Sequence, residues 1–133
     1  MSVTRFSISL EEELAKELDQ YVIDNCFANR SQAVRHLVEK NIVEKKWRCD
    51  NIVAGAIVLT YDYLKKDISS SITEIRHLYL EEILSSQIFQ LEDEICLEII
   101  AVKGMAKRLT ELSNKLIAIK GIRHGNLVMS RTQ

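Results

Sequence analysis

The stretch Thr4–Leu10, TRFSISL, alternates strictly between polar and apolar side chains. Arg5, Ser7 and Ser9 fall on one face of a strand, and Phe6, Ile8 and Leu10 on the other. Such a strand needs a neighbour for its backbone hydrogen bonds and a cover for its apolar face. No second strand pattern occurs before Ala54; the intervening sequence is helical in pattern. In EEELAKELDQYVIDN, Leu14, Leu18, Tyr21 and Val22 recur at helical spacing, and Glu11, Glu12 and Glu13 crowd the start, where the helix dipole favours anions. Ser9 and Glu12 have the spacing of a capping box. A second helix is predicted over NRSQAVRHLVEKNIVEKKW, with Ser31 as N-cap and Ala33, Val34, Leu37, Val38 and Ile42 as its apolar stripe.

Pairing with the same strand of a second copy satisfies both needs of Thr4–Leu10. A two-fold axis then gives a two-stranded antiparallel ribbon over four helices. Its outward face carries Arg5, Ser7 and Ser9 twice, and a ribbon of this size fits a DNA major groove. Arg30 and Ser31 sit at the start of the second helix, where exposed amides form a phosphate site. The pieces TRFSISLEEEL and NRSQAVRHLV resemble the ribbon-helix-helix family of DNA-binding proteins over residues 3–46. The competing reading is a strand-helix-helix oligomerisation module whose polar face is merely solvated.

From Ala54 the pattern changes. AGAIVLTYDYL reads as a strand, DISSSITEIRHLYLEEILSS as a helix, QIFQLED and ICLEIIAVKG as strands around an acidic turn, MAKRLTELSNKLIAIKG as a helix and IRHGNLVMSR as a last strand. The order is βαββαβ, the split ferredoxin-like arrangement. The expected fold class is therefore α+β, with a βαα ribbon-helix-helix domain over residues 1–48 and a ferredoxin-like, ACT-like domain over 52–133. KKWRCDNIV between them lacks Pro and is not Gly/Ser-rich, so a short ordered linker is expected.

Composition excludes several classes. Net charge is −1, with 8 Lys+Arg against 9 Asp+Glu up to Asp50 and 10 against 10 beyond it, so DNA contact must come from a local patch. Cys26, Cys49 and Cys96 are scattered, with no CxxC, which indicates neither a disulfide framework nor a zinc ribbon. Free thiols and the lack of a signal-peptide pattern suggest a cytoplasmic protein. The longest apolar run, Ile52–Leu59, is too short to span a bilayer. No Ser/His/Asp constellation, glycine-rich phosphate loop or cluster of catalytic carboxylates is present, so an enzyme is not expected.

The combination of NRS, the Arg76-His77 pair, CLEIIAVKG and KGIRHGNL resembles the nickel-responsive repressor family, NikR, along nearly the whole chain. The resemblance implies a transcriptional regulator that binds a palindromic operator, a homodimer through the N-terminal ribbon and a homotetramer through the ACT-like domain. It also implies nickel bound by three imidazoles and one thiolate, a donor set suited to square-planar nickel(II). Cys96 matches the thiolate and His77 the helix histidine, which comes from a neighbouring subunit. Ile88 and Gln90 stand where the two strand histidines are expected. An alkyl group cannot coordinate, an amide oxygen is a weak donor, and two good donors out of four do not make the site. Glu98 keeps an acid next to the site, and Arg76 replaces a neutral Gln. A second family metal position, between the domains, falls on Gln32 and His36 without a carboxylate.

Cys96 thus reads either as a small residue at a strand start or, with His77, as part of an altered metal site. His36 and His124 read as surface or packing residues. An alternative effector is a small anionic metabolite meeting Arg76 and His77, with Lys65, Lys66 and Ser69–Ser71 nearby. Other readings of the chain are a ribbon-helix-helix antitoxin, whose C-terminal segment is often disordered when free, and a metabolite-sensing module without DNA binding.

Overall fold

The structure, a computed structural model, describes residues 2–132. It forms two compact units that divide between Asn41 and Ile42. Helix α2 runs across the division.

The first unit holds α1 (Glu12–Asp24) and the first turns of α2 (Arg30–Arg48). Helix α1 ends in a six-to-one, five-to-two hydrogen-bond pattern. Phe27 N donates to Val22 O at 3.0 Å and Cys26 N to Ile23 O at 3.1 Å. Cys26 takes the left-handed position with φ 55°, where glycine is the usual occupant. Arg30 grips Asp19 through two bonds of 2.7 and 2.8 Å, tying the start of α2 to α1. Two expected caps differ from those observed. Ser9 and Glu12 form no capping box; Glu11 occupies the N-cap of α1 and makes no side-chain cap bond. At α2 the cap is Asn29, not Ser31: its Oδ1 accepts from Gln32 N at 2.9 Å, while Gln32 Oε1 accepts from Ala28 N at 2.6 Å. The helix begins one residue before Ser31 because this reciprocal pair satisfies two amides.

Residues 2–11 form no strand in the single chain. The expected strand over Thr4–Leu10 is missing because a ladder requires a second strand, and this unit has none among its described residues. Its apolar side chains are left bare: Phe6 is 76% and Ile8 55% exposed. Helix α1 contributes no buried residue at all.

The second unit has its own core. After the end of α2 come β1 (Ile52–Asp62), α3 (Lys66–Leu78), β2 (Ile83–Glu92), β3 (Ile95–Met105), α4 (Ala106–Ile117) and β4 (His124–Met129). This is the βαββαβ order read from the sequence. The strands form one antiparallel sheet in the order β2-β3-β1-β4. Alternation places Val53, Ile57, Leu59 and Tyr61 of β1 and Cys96, Ile100 and Val102 of β3 in the buried core. Ile68 and Ile72 of α3 and Leu109, Leu112 and Leu116 of α4 complete it.

The segment expected as a linker, KKWRCDNIV, lies within the second unit, where it ends α2 and opens β1. Trp47 Nε1 donates to Ser130 O at 2.8 Å, and Asp50 Oδ1 accepts from Lys107 N at 2.8 Å at the start of α4. Helix α3 is shorter than the periodicity predicts. It stops at Leu78 rather than running through Ser86, because Tyr79 caps it and buries its ring. Glu82 O then accepts from Lys103 N at 2.8 Å, and the chain joins the β3 ladder from Ile83. Ladder bonds and the burial of a large aromatic outweigh two more helical turns.

Candidate metal centre

The register of β2, β3 and β1 decides which side chains share a face. Gln90 lies opposite Cys96, and Ile88 opposite Glu98. On the other side of β3, Tyr61 lies opposite Cys96. Directly opposed residues point to the same face of a sheet. Ile88, Gln90, Cys96, Glu98 and Tyr61 therefore share one side. Helix α3 presents Arg76 and His77 there, and a cleft of about 350 Å³ is lined by Tyr61, Ile72, Arg76, His77, Ile88 and Glu98 among others.

Glu98 is the centre of this arrangement. It is 1% exposed, on a strand whose other inward residues are Cys96, Ile100 and Val102. A buried carboxylate needs hydrogen bonds and a counter-charge. Both oxygens are provided for. Tyr61 Oη donates to Oε1 at 2.6 Å, and Arg76 Nη1 donates to Oε2 at 2.8 Å. Arg76 Nη1 also donates to Ser86 Oγ on β2 at 3.0 Å. One guanidinium thus joins α3, β2 and β3. Burial, then the bond to the Glu98 carboxylate, push the Tyr61 phenol well above its ordinary range.

The candidate ligands are not gathered around a metal. Cys96 is buried, and that burial raises its thiol above the usual range; Tyr61 works in the opposite direction and Glu98 adds to the rise. Gln90 is exposed and donates from Nε2 to Asp93 O at 2.9 Å, within its own hairpin. Ile88 brings only carbon. Among the described residues, no three His, Cys, Asp or Glu side chains come together as a metal-holding group. The donor set of one buried thiol, one imidazole, one amide and one alkyl group does not fit nickel(II) in a single chain.

Tyr61 and Ser86 belong to the site and escaped the sequence reading. Neither has a signal of its own, because their roles depend on strand register and on where α3 ends. Glu98 did leave a signal: it is an acid in the inward phase of an otherwise apolar strand. His36 packs against Phe27 and Tyr21, with ring centroids 5.3 and 6.3 Å away. His124 is exposed on β4 opposite Thr60.

In the first unit, Arg5, Ser7 and Ser9 are exposed, as are Arg30 and Ser31. Arg30 is engaged with Asp19, and that bond lowers the Asp19 carboxyl below its ordinary value. A groove of about 1010 Å³ runs between the N-terminal segment and the two helices, with Phe6, Ile8, Leu18, Val34 and Val38 in its walls and Arg5 and Ser31 beside them.

Residues 54–130 match the family model described as the NikR C terminal nickel binding domain. The chain is 41% identical over 128 residues to a protein of Syntrophus aciditrophicus, covering 96% of this chain and 93% of that one. It is 38% identical over 133 residues to a protein of Thermococcus kodakarensis, covering 99% and 96%. Both relatives are described as "Putative nickel-responsive regulator". Among solved structures, an uncharacterised protein of Thermotoga maritima aligns with a TM-score of 0.53 at 19% identity, over 59% of this chain and 98% of its own. That likeness concerns the fold alone.

Proposed function

Because the chain belongs to the NikR family of nickel-responsive regulators, we propose that it is a DNA-binding transcriptional repressor acting as a homo-oligomer on a palindromic operator. Residues 1–48 form the DNA-binding part and 52–133 the regulatory and tetramerising part. The observation that carries this reading is the bare apolar side of the first unit. Phe6, Ile8 and Leu10 are exposed in the single chain while α1 buries nothing. A second copy pairing through Thr4–Leu10 covers these side chains and leaves Arg5, Ser7 and Ser9 facing outward. Arg5 then supplies a bidentate contact to guanine, Ser7 and Ser9 contact base edges, and the amides near Arg30 and Ser31 hold phosphates.

The test is operator binding by fluorescence anisotropy with Arg5→Ala. Specific affinity falls by about 10-fold or more, at roughly 1–3 kcal/mol for a lost bidentate pair, while thermal stability is kept. Wild-type affinity in that variant removes Arg5 from the interface. Ile8→Glu separates the alternatives: it abolishes operator binding and N-terminal dimerisation together if the ribbon exists.

Nickel is the effector implied by the family, with His77 and Cys96 the residues of this chain that could still ligate it. Their surroundings do not complete a site. A small anion meeting Arg76 and His77 is the second reading, supported by the cleft the two residues line. Calorimetric titration with phosphate and carboxylates tests it, and heat lost in His77→Ala is the expected sign.

A further inference from the structure

We propose that the Arg76–Glu98 ion pair holds the regulatory site together within each chain, so that the unit from Ile42 onward reaches its ordered state without nickel and does not respond to it. This rests on membership of the nickel-responsive family and names what holds the regulatory site.

Three observations carry it. First, the positions that match the family's ligands offer His77, Ile88, Gln90 and Cys96, and the described residues hold no metal-binding group. Second, a fixed cation is already there. The Arg76 guanidinium sits 2.8 Å from Glu98 Oε2, on the residue next to His77, where it repels a dication. Third, Glu98 has no unmet demand. Tyr61 and Arg76 take one oxygen each, and no buried side-chain nitrogen or oxygen among the described residues lacks a partner. Arg76 reaches from α3 to Ser86 on β2 and Glu98 on β3. These are the helix and strands of this chain that carry His77, Ile88, Gln90 and Cys96. Both partners belong to the same chain, so the tie requires no ion to be taken up.

The experiment uses the full-length, tag-free protein. Wild type shows no thiolate-to-nickel absorption band, and its Tm rises by less than about 1 °C with nickel chloride and does not fall with EDTA, since a ligand that prefers the native state raises Tm. Arg76→Gln lowers Tm by roughly 5 °C, because it strands the buried Glu98 carboxylate, whereas Glu98→Gln lowers it less, because Arg76 is 30% exposed and can turn to water. The double variant recovers part of that loss. Should Arg76→Gln fail to fold, Arg76→Lys, which keeps the charge, restores folding. Rebuilding the donors with Arg76→Gln, Ile88→His and Gln90→His creates a nickel band that Cys96→Ala removes. A wild-type band abolished by Cys96→Ala, a wild-type Tm raised by nickel, or strictly additive single-variant losses each overturn the proposal. None of these readouts involves DNA, so failure of operator binding would leave this result standing on its own.

Discussion

Arg76 on α3 and Glu98 on β3 are 22 residues apart in sequence and 2.8 Å apart across the core face of the sheet. The Glu98 side chain is almost fully buried, whereas the Arg76 side chain is 30% exposed. The carboxylate is therefore committed, and the guanidinium covers it from the cleft. Such a pair adds little net stability over a packed apolar pair, but losing one partner is costly. Through it, α3 is bonded to both β2 and β3.

Tyr61 is the second guard of that carboxylate. Tyr61→Phe keeps the ring in the core and deletes only the donor to Oε1. The expected loss is about 2 kcal/mol, the scale of a hydrogen bond to a charged group, read from urea unfolding. A loss below about 0.5 kcal/mol shows that another donor, such as water, replaces the phenol.

The same contact sets an alkaline limit. The Tyr61 phenol is raised in the folded state, so its contribution is fully present below the unfolded phenol value of about 10 and is lost as pH climbs toward the folded value. Native protein holds the proton that unfolded chain releases, and stability falls above pH about 10. Cys96, also raised, adds a fall that starts near the ordinary thiol value. Unfolding free energy measured from pH 8 to 11 drops in wild type and drops less in Tyr61→Phe. Identical slopes would remove Tyr61 as the source.

The thiols divide by burial. Cys26 and Cys49 are exposed, and Cys96 is buried with its thiol held protonated. An aromatic disulfide reagent at neutral pH labels two thiols rapidly and the third only on unfolding, because the thiolate is the nucleophile. Fast labelling of all three would show that Cys96 is open and ionised, as a metal ligand must be.

Gly55 marks a close approach. A Cβ there would lie 2.5 Å from Val128 O on the neighbouring strand and 3.3 Å from Trp47 Cζ2. Gly55→Ala is expected to cost about 1–3 kcal/mol by overpacking, with the indole displaced and tryptophan fluorescence changed. An unchanged emission spectrum with a lowered midpoint would mean that β4 yields while the indole stays, and an unchanged midpoint would rule out the close approach.

Periodicity alone determined a great deal here. The apolar runs bounded by turn residues in β1 and β3, the helical stripes of α3 and α4 and the acidic turn between β2 and β3 together made the order βαββαβ legible. The resemblance to the nickel-responsive family, with Ile88 and Gln90 at the two strand-histidine positions, already implied that two donors are missing. Tertiary structure decided what fills their place. That Tyr61 reaches Glu98 depends on pairing β1 with β3 in one register, and that Ser86 lies near Arg76 depends on α3 ending at Leu78. Local pattern carries neither fact, since both arise from contacts between segments far apart in sequence. The N-terminal strand shows the converse. Its alternation is plain in TRFSISL, yet the single chain leaves residues 2–11 without strand structure. A strand is defined by hydrogen bonds to a neighbour, and the described residues of one chain place no neighbour beside Thr4–Leu10.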